Sequence, residues 1–256
     1  MSNSSLIDYT KISPNKTSPR NHVIDTITIH CVVGQCSVET LGNIFAPTSR
    51  KASSNYGIGP DGRIGMYVEE KDRSWCSSSS SNDNRAITIE CASDTTYPYA
   101  INDKVYESLI NLCTDICKRN NIKELKWKAD KSLIGQPDKQ NMTVHRWFAA
   151  TACPGDYIYN RLGDIADKVN AKLGVSTSTE TPKKESKNES FRVKVRVTDL
   201  NIRKGPGTNY AKTGKFTGVG VFTITEVKSG KGSTAGWGKV KSGAGWISLD
   251  YASKIN

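Results

Sequence analysis

The stretch Ile27-Thr28-Ile29-His30-Cys31-Val32-Val33 is short and rich in β-branched side chains, the composition of a buried strand. Its centre, Thr28-Ile29-His30-Cys31, has a counterpart further on in Thr88-Ile89-Glu90-Cys91, inside a second strand-like run, Ala86 to Cys91. Alternate residues of a strand share a face. His30 therefore points away from Ile29 and Cys31, and Glu90 points away from Ile89 and Cys91. With the Ile/Cys faces in a core, His30 and Glu90 project together from the other face. Two ionisable groups side by side on a buried sheet imply chemistry.

Around these runs, strand and helix patterns alternate. Asn55 to Val68 holds the turn Pro60-Asp61-Gly62 between two extended pieces, a hairpin signal. Asn102 to Asn121 places Val105, Leu109, Leu112, Cys113, Ile116 and Cys117 on one helical face. Asp156 to Leu173 repeats that spacing with Ile158, Leu162, Ile165, Val169 and Leu173, and Gly174 is a fitting stop. Residues 1–173 are expected to form an α/β domain with a mixed central sheet flanked by helices. Residues 174–190, GVSTSTETPKKESKNES, hold almost nothing apolar to offset ordering entropy and read as a flexible linker. Residues 191–256 show short alternating strands around Val193, Val221 and Trp237, punctuated by Gly, with no helical period. They are expected to form a small all-β barrel.

The chain has 256 residues, 36% of them hydrophobic and 24% charged, which excludes collagenous, membrane-embedded and wholly disordered classes. No run approaches the roughly 18 apolar residues that cross a bilayer. The N-terminus, MSNSSLIDYTKISPNK, lacks an apolar h-region, so synthesis without a Sec-type signal peptide is expected. Residues 1–175 carry a net charge of +2 and residues 176–256 a net +9, which directs the second part to an anionic polymer. All seven Cys and all three His fall in the first part. An odd number of Cys without framework spacing fits reduced thiols. A nucleic-acid role has only the net charge behind it and no recognition motif.

His145 and Cys153 stand eight residues apart ahead of a Pro154-Gly155 turn. Zinc takes imidazole and thiolate ligands, and a catalytic site keeps three of them plus a water. His30, His145 and Cys153 would make such a set, with Glu90 beside the water. On chemistry alone the alternative stays open: a strand His as a satisfied polar residue, and Cys as a small buried hydrophobe.

The order HC, SSNYGIGPDGRI, Trp75, Asn84, ITIE, His145 and TACPG, across roughly residues 22–172, resembles the type 2 N-acetylmuramoyl-L-alanine amidases. These share the peptidoglycan-recognition-protein fold with many phage endolysins. The resemblance implies Zn2+ on His30, His145 and Cys153, with Glu90 as the catalytic carboxylate. It further implies Tyr56 as the active-site tyrosine and Thr151 as the residue two before the Cys ligand. It departs at Ser74-Trp75-Cys76-Ser77, where many relatives read Ala-Trp-His-Ala-Gly. Residues 191–255 resemble a bacterial SH3 domain through Leu200-Asn201-Ile202-Arg203-Lys204-Gly205-Pro206-Gly207 and the Trp237 and Trp246 segments. The implied protein is a peptidoglycan hydrolase, endolysin or autolysin, that cuts the amide between N-acetylmuramic acid and L-alanine. Its partner would be the Gram-positive cell wall, reached phage-lysin-like after release, and it is expected to be a monomer. A cell-wall cysteine peptidase and a non-catalytic peptidoglycan-binding protein are the alternatives.

The remaining singled-out residues have structural expectations. His22 reads as a surface or capping residue, and Cys31, Cys91, Cys113 and Cys117 as core thiols. Ser77 to Ser81 reads as a flexible cleft rim, and Trp127 and Trp147 as groove lining or aromatic core.

Overall fold

The computed structural model describes residues 2–175, 190–233 and 235–255. The chain falls into two compact units that divide after residue 176. Apart from its ends, the stretch expected as a linker lies outside the described residues.

In the first unit the runs around His30 and Glu90 become β3 (Thr26–Cys31) and β7 (Ala86–Cys91), after two short strands, β1 (Tyr9–Thr10) and β2 (Lys16–Thr17). The Pro-Asp-Gly hairpin is β4 (Tyr56–Ile58) and β5 (Ile64–Met66), β6 is Arg73–Ser74 and β8 is Met142–Thr143. Six of them form one sheet in the order β1-β5-β4-β7-β3-β8, while β2 pairs separately with β6. Only β4 and β5 run antiparallel within the six, so the sheet is mixed. β3 stops at Cys31 because Val33 takes a left-handed backbone, φ 56°, two residues short of the expected strand end.

Helices cover both faces. α1 (Val38–Phe45) starts at Ser37, whose side chain accepts from the Thr40 N–H, and α2 is Ser80–Arg85. α3 (Asp103–Arg119) is capped by Asn102 and buries the expected stripe, Cys113 and Cys117 included. Its apolar face joins Ile27, Ile29, Ile87 and Ile89 in the main core, together with α5 (Leu162–Leu173). On the opposite face α1 packs over β4 and β5. A Cβ at Gly57 would come within 2.7 Å of Leu41 and 2.8 Å of Tyr67, so that position admits only hydrogen. The expected single helix 156–173 is two: α4 (Gly155–Tyr159) and α5. The Arg161 N–H bonds back three residues to Ile158, which breaks the backbone register. Ile158 and Leu162 are nevertheless both buried, so the apolar spacing reads through the break.

Residues 2–20 are fastened to this body by a buried ionic knot. Glu70 is fully buried and accepts from the Tyr56 hydroxyl at 2.7 Å and from Arg119 at 2.6 and 2.8 Å. Arg119 also donates to the Ser2 carbonyl, and the Ser4 N–H donates to the Tyr56 hydroxyl at 3.0 Å. Arg20, also buried, spends its guanidinium on five backbone carbonyls between Glu70 and Ala86.

The second unit is all-β and antiparallel. Its strands are β9 (Phe191–Val195), β10 (Asn201–Arg203), β11 (Lys212–Phe216), β12 (Gly220–Lys228), β13 (Trp237–Val240), β14 (Trp246–Ser248) and β15 (Ala252–Ile255). They pair in the order β11-β10-β14-β13-β12-β9-β15. Val193, Val195, Ile202, Ile224, Val240 and Ile247 form the core, and Trp237 and Trp246 are buried as well. Val221 is exposed, because β12 turns Ile224 inward and so places the odd-numbered Val on the solvent side.

Removing Arg119 leaves the Glu70 carboxylate buried without its charge partner. Arg119→Ala is expected to lose about 3 kcal/mol of stability, read from denaturant unfolding of the full chain.

Candidate active site

β3 and β7 are parallel and in register, with His30 opposite Glu90 and Thr28 opposite Thr88. Their Ile face meets the helices, and Thr28 and Thr88 on the other face are fully buried too, so their hydroxyls must be satisfied within the protein. Thr28 and Thr143 share a hydrogen bond at 2.7 Å, and Asn82 bonds both. Thr88 bonds Ser74 at 2.8 Å and takes the Asn55 N–H at 3.0 Å. This hydroxyl floor ends, at the C-terminal edge of the strands, in His30 and Glu90.

The neighbouring strand delivers the next residue. β8 pairs with β3 through Met142 and Thr143, and two residues later His145 opens a single helical turn, His145–Trp147. The His30 and His145 rings lie 5.1 Å apart at 58°. Cys153 arrives from the loop before α4, with its Sγ 3.4 Å from His30 Nδ1 and 3.4 Å from the Cys31 N–H. That loop is tied down: Thr151 Oγ1 accepts from the Cys153 N–H at 3.2 Å, and Arg146 donates to the Ala152 carbonyl and to Asp156.

The ligand atoms of His30, His145 and Cys153 all lie within 4.8 Å of one another. His30 Nε2 and Glu90 Oε2 are buried with no hydrogen-bond partner among the described residues. Burial, with the neighbouring His145, pulls the His30 imidazole down to about 3, and burial lowers His145 too. Both rings are therefore neutral and able to give a lone pair at neutral pH. Two neutral imidazoles, a thiol and orphaned buried polar atoms fit a zinc ion, whose usual donors are these. Burial also pushes the Glu90 carboxyl up to about 7.

Tyr56 does not join the cluster. It pairs with Ile89, so its ring lies on the apolar face, and its hydroxyl is committed to Glu70 and Ser4. Burial beside Glu70 raises that hydroxyl well above the usual tyrosine range. Thr151 is exposed and touches the cluster through the Cys153 backbone.

Three further residues help to shape the site. The Cys76 thiol lies 3.8 Å from Glu90 Oε1. Ser78 Oγ bonds His145 Nε2 at 3.1 Å from a left-handed backbone, φ 60°. Buried Asp83 accepts from the N–H groups of Cys76 and Ser77 and from the Ser77 hydroxyl, so the serine segment is a fastened rim rather than a loose one. The same run starts a helix: Ser79 caps α2 by accepting from the Asn82 N–H. A cleft of about 320 Å³ lies there, lined by Lys51, Trp75, Cys76, Ser78, Ser80 and His145. Trp127 and Trp147 stack at 5.1 Å, with Trp147 in the core, while His22 is on the surface against the Val23 carbonyl.

A family model described as N-acetylmuramoyl-L-alanine amidase matches residues 20–156. Among curated proteins no relative matches. Among solved structures, the N-acetylmuramoyl-L-alanine amidase LysC from Clostridium intestinale URNW is 17% identical, with 66% of this chain and 99% of that chain covered at a TM-score of 0.45. A mutant endolysin from Bacillus subtilis is 15% identical, with 66% and 99% covered at 0.45. An AmpD derivative is 17% identical, with 64% and 96% covered at 0.46.

The cluster carries a pH signature in chelator-treated protein. Glu90 binds its proton more tightly folded than unfolded, so its contribution to stability is lost as pH rises from about 4.5 to about 7. Glu90→Gln is expected to gain up to about 3 kcal/mol relative to wild type across that window, measured by urea unfolding at several pH values.

Proposed function

The chain belongs to the N-acetylmuramoyl-L-alanine amidase family, and on that premise we propose that it hydrolyses the amide between N-acetylmuramic acid and L-alanine in peptidoglycan, with zinc on His30, His145 and Cys153. The observation that carries this reading is the convergence of two neutral imidazoles, a thiol and a carboxylate, two of whose buried atoms have no partner.

When bound, zinc supplies a Lewis acid that polarises the scissile carbonyl and acidifies a water. Glu90 takes the proton of the attacking water and returns it to the L-alanine nitrogen as that group leaves. A carboxyl raised toward neutrality by burial suits a group that must do both. Register with His30 fixes its position, since neither strand can slip without turning its Ile residues out of the core. Thr151 accepts from the Cys153 N–H and keeps its own proton for the oxyanion. Tyr56 has no part in the chemistry and serves as a strut to Glu70.

The all-β unit is proposed as a bacterial SH3-type wall-binding module. Its sequence signature, its antiparallel strands and the +9 charge of residues 176–256 support that role. No helix of the described residues is long and apolar enough to cross a membrane. The cysteine-peptidase alternative leaves the His30–Glu90 pair without a purpose.

End-group analysis of digested Gram-positive peptidoglycan tests the reaction: new L-alanine amines without new reducing sugars are expected. New reducing ends, or amino ends other than L-alanine, would overturn it. Glu90→Gln should lower turnover at least about 100-fold while zinc stays near one equivalent, and His145→Ala should lose both. The acid limb of the rate should follow protonation of Glu90, at or below about pH 7 because a bound cation favours the carboxylate. Binding of the full chain to purified walls should weaken as salt screens the basic unit, and an unchanged affinity would remove that role.

A further inference from the structure

Beside the proposed zinc ligands lies a second set of donors, which shares His30 with the first and adds Cys76 and Glu90. The Cys76 thiol sits 3.8 Å from Glu90 Oε1, and the ligand atoms of His30, Cys76 and Glu90 all lie within 4.8 Å of one another. This set contains neither His145 nor Cys153, so Cys76 does not simply close the first set. Observations independent of the thiol point to a cation here. Glu90 Oε2 is buried without a partner, and so is Nε2 of the fully buried His30. His30 Nδ1 is the nitrogen facing Cys153, which leaves Nε2 of the same ring uncommitted. The thiol's position is also built: the Cys76 N–H donates to buried Asp83 at 3.0 Å, and Ser77 is held by the same carboxylate.

We propose that Cys76, Glu90 and His30 form a second metal position next to the first, for a thiophilic divalent ion such as zinc or cadmium. One thiolate, one imidazole and one carboxylate suit these ions and not magnesium or calcium. Binding releases the thiol proton and, with the first position filled, the remaining N–H proton of His30, whose ring then bridges the two ions through Nδ1 and Nε2; both protons pass to solvent, and Glu90 becomes a ligand. Metal beyond the first equivalent therefore withdraws the carboxylate that the reaction needs, and the enzyme is inhibited by excess of its own ion. The binding itself is independent of the amidase reading; only this inhibition rests on it.

The test is a cadmium titration of the chelator-treated full chain, following thiolate-to-metal charge-transfer absorption and metal content after dialysis. Wild type should take up two equivalents, one lost in Cys76→Ser and the other in Cys153→Ser, each variant keeping the remaining charge-transfer band. Glu90→Gln should weaken the Cys76-dependent equivalent at least tenfold and leave the other, which separates ligation from a folding defect. Absence of any Cys76-dependent equivalent overturns the proposal. A Cys153-dependent equivalent alone would leave the amidase centre and remove this site, whereas a Cys76-dependent one alone would do the reverse.

Discussion

The parallel, in-register pairing of Thr26–Cys31 with Ala86–Cys91 is the constraint on which the rest of the first unit depends. Six backbone pairs align two strands that are greasy on one side and polar on the other. The apolar side is settled by α3 and α5, whose packing leaves no freedom to shift either strand. The polar side is thereby committed as well, and its threonines are shut off from water, because α2 and the serine rim pack over that part of the sheet. Threonine and serine hydroxyls, which both donate and accept, close that account among themselves. What they cannot satisfy is left at the strand ends, where reactivity is wanted.

The paired motifs, the hairpin and the α3 stripe were legible because each is a local pattern with a fixed period: two for strands, 3.6 for the helix. Cys113 and Cys117 fell in the core for the same reason. Ligand chemistry and strand phase made His30, His145, Cys153 and Glu90 a candidate set with its alternative open, and the resemblance to the amidases implied the same four. Tyr56 could not be placed from its neighbourhood in sequence. Its direction depends on which residue of β7 it pairs with, and that is a long-range fact. The break between α4 and α5 was hidden because Ile158 and Leu162 keep helical spacing on either side of it. The serine rim looked loose because the carboxylate that fastens it, Asp83, follows the run and gives no sign of turning back on it.

Burial works in opposite directions on the two kinds of group at the site. It disfavours the cationic form of imidazole and the anionic form of carboxylate, so one low-dielectric environment yields neutral ligands and a proton-accepting acid together. No separate device is needed for each. The same environment makes the cluster expensive when empty, which is a general property of sites that are prepared for a charge they do not themselves supply.

The fastening of residues 2–20 has a practical side for anyone recombining the two units with other modules. A catalytic cassette cut just ahead of β3 would retain all the proposed ligands yet lose the edge strand β1, the Ser4 contact to Tyr56 and the carbonyl that Arg119 holds. Extra sequence at the front would be joined directly to that knot, whereas the region after residue 175 lies beyond the last turn of α5, where Gly174 has already ended the helix. Fusion partners, fluorophores or exchanged binding modules therefore belong behind the first unit, and the leading residues are best treated as part of its body.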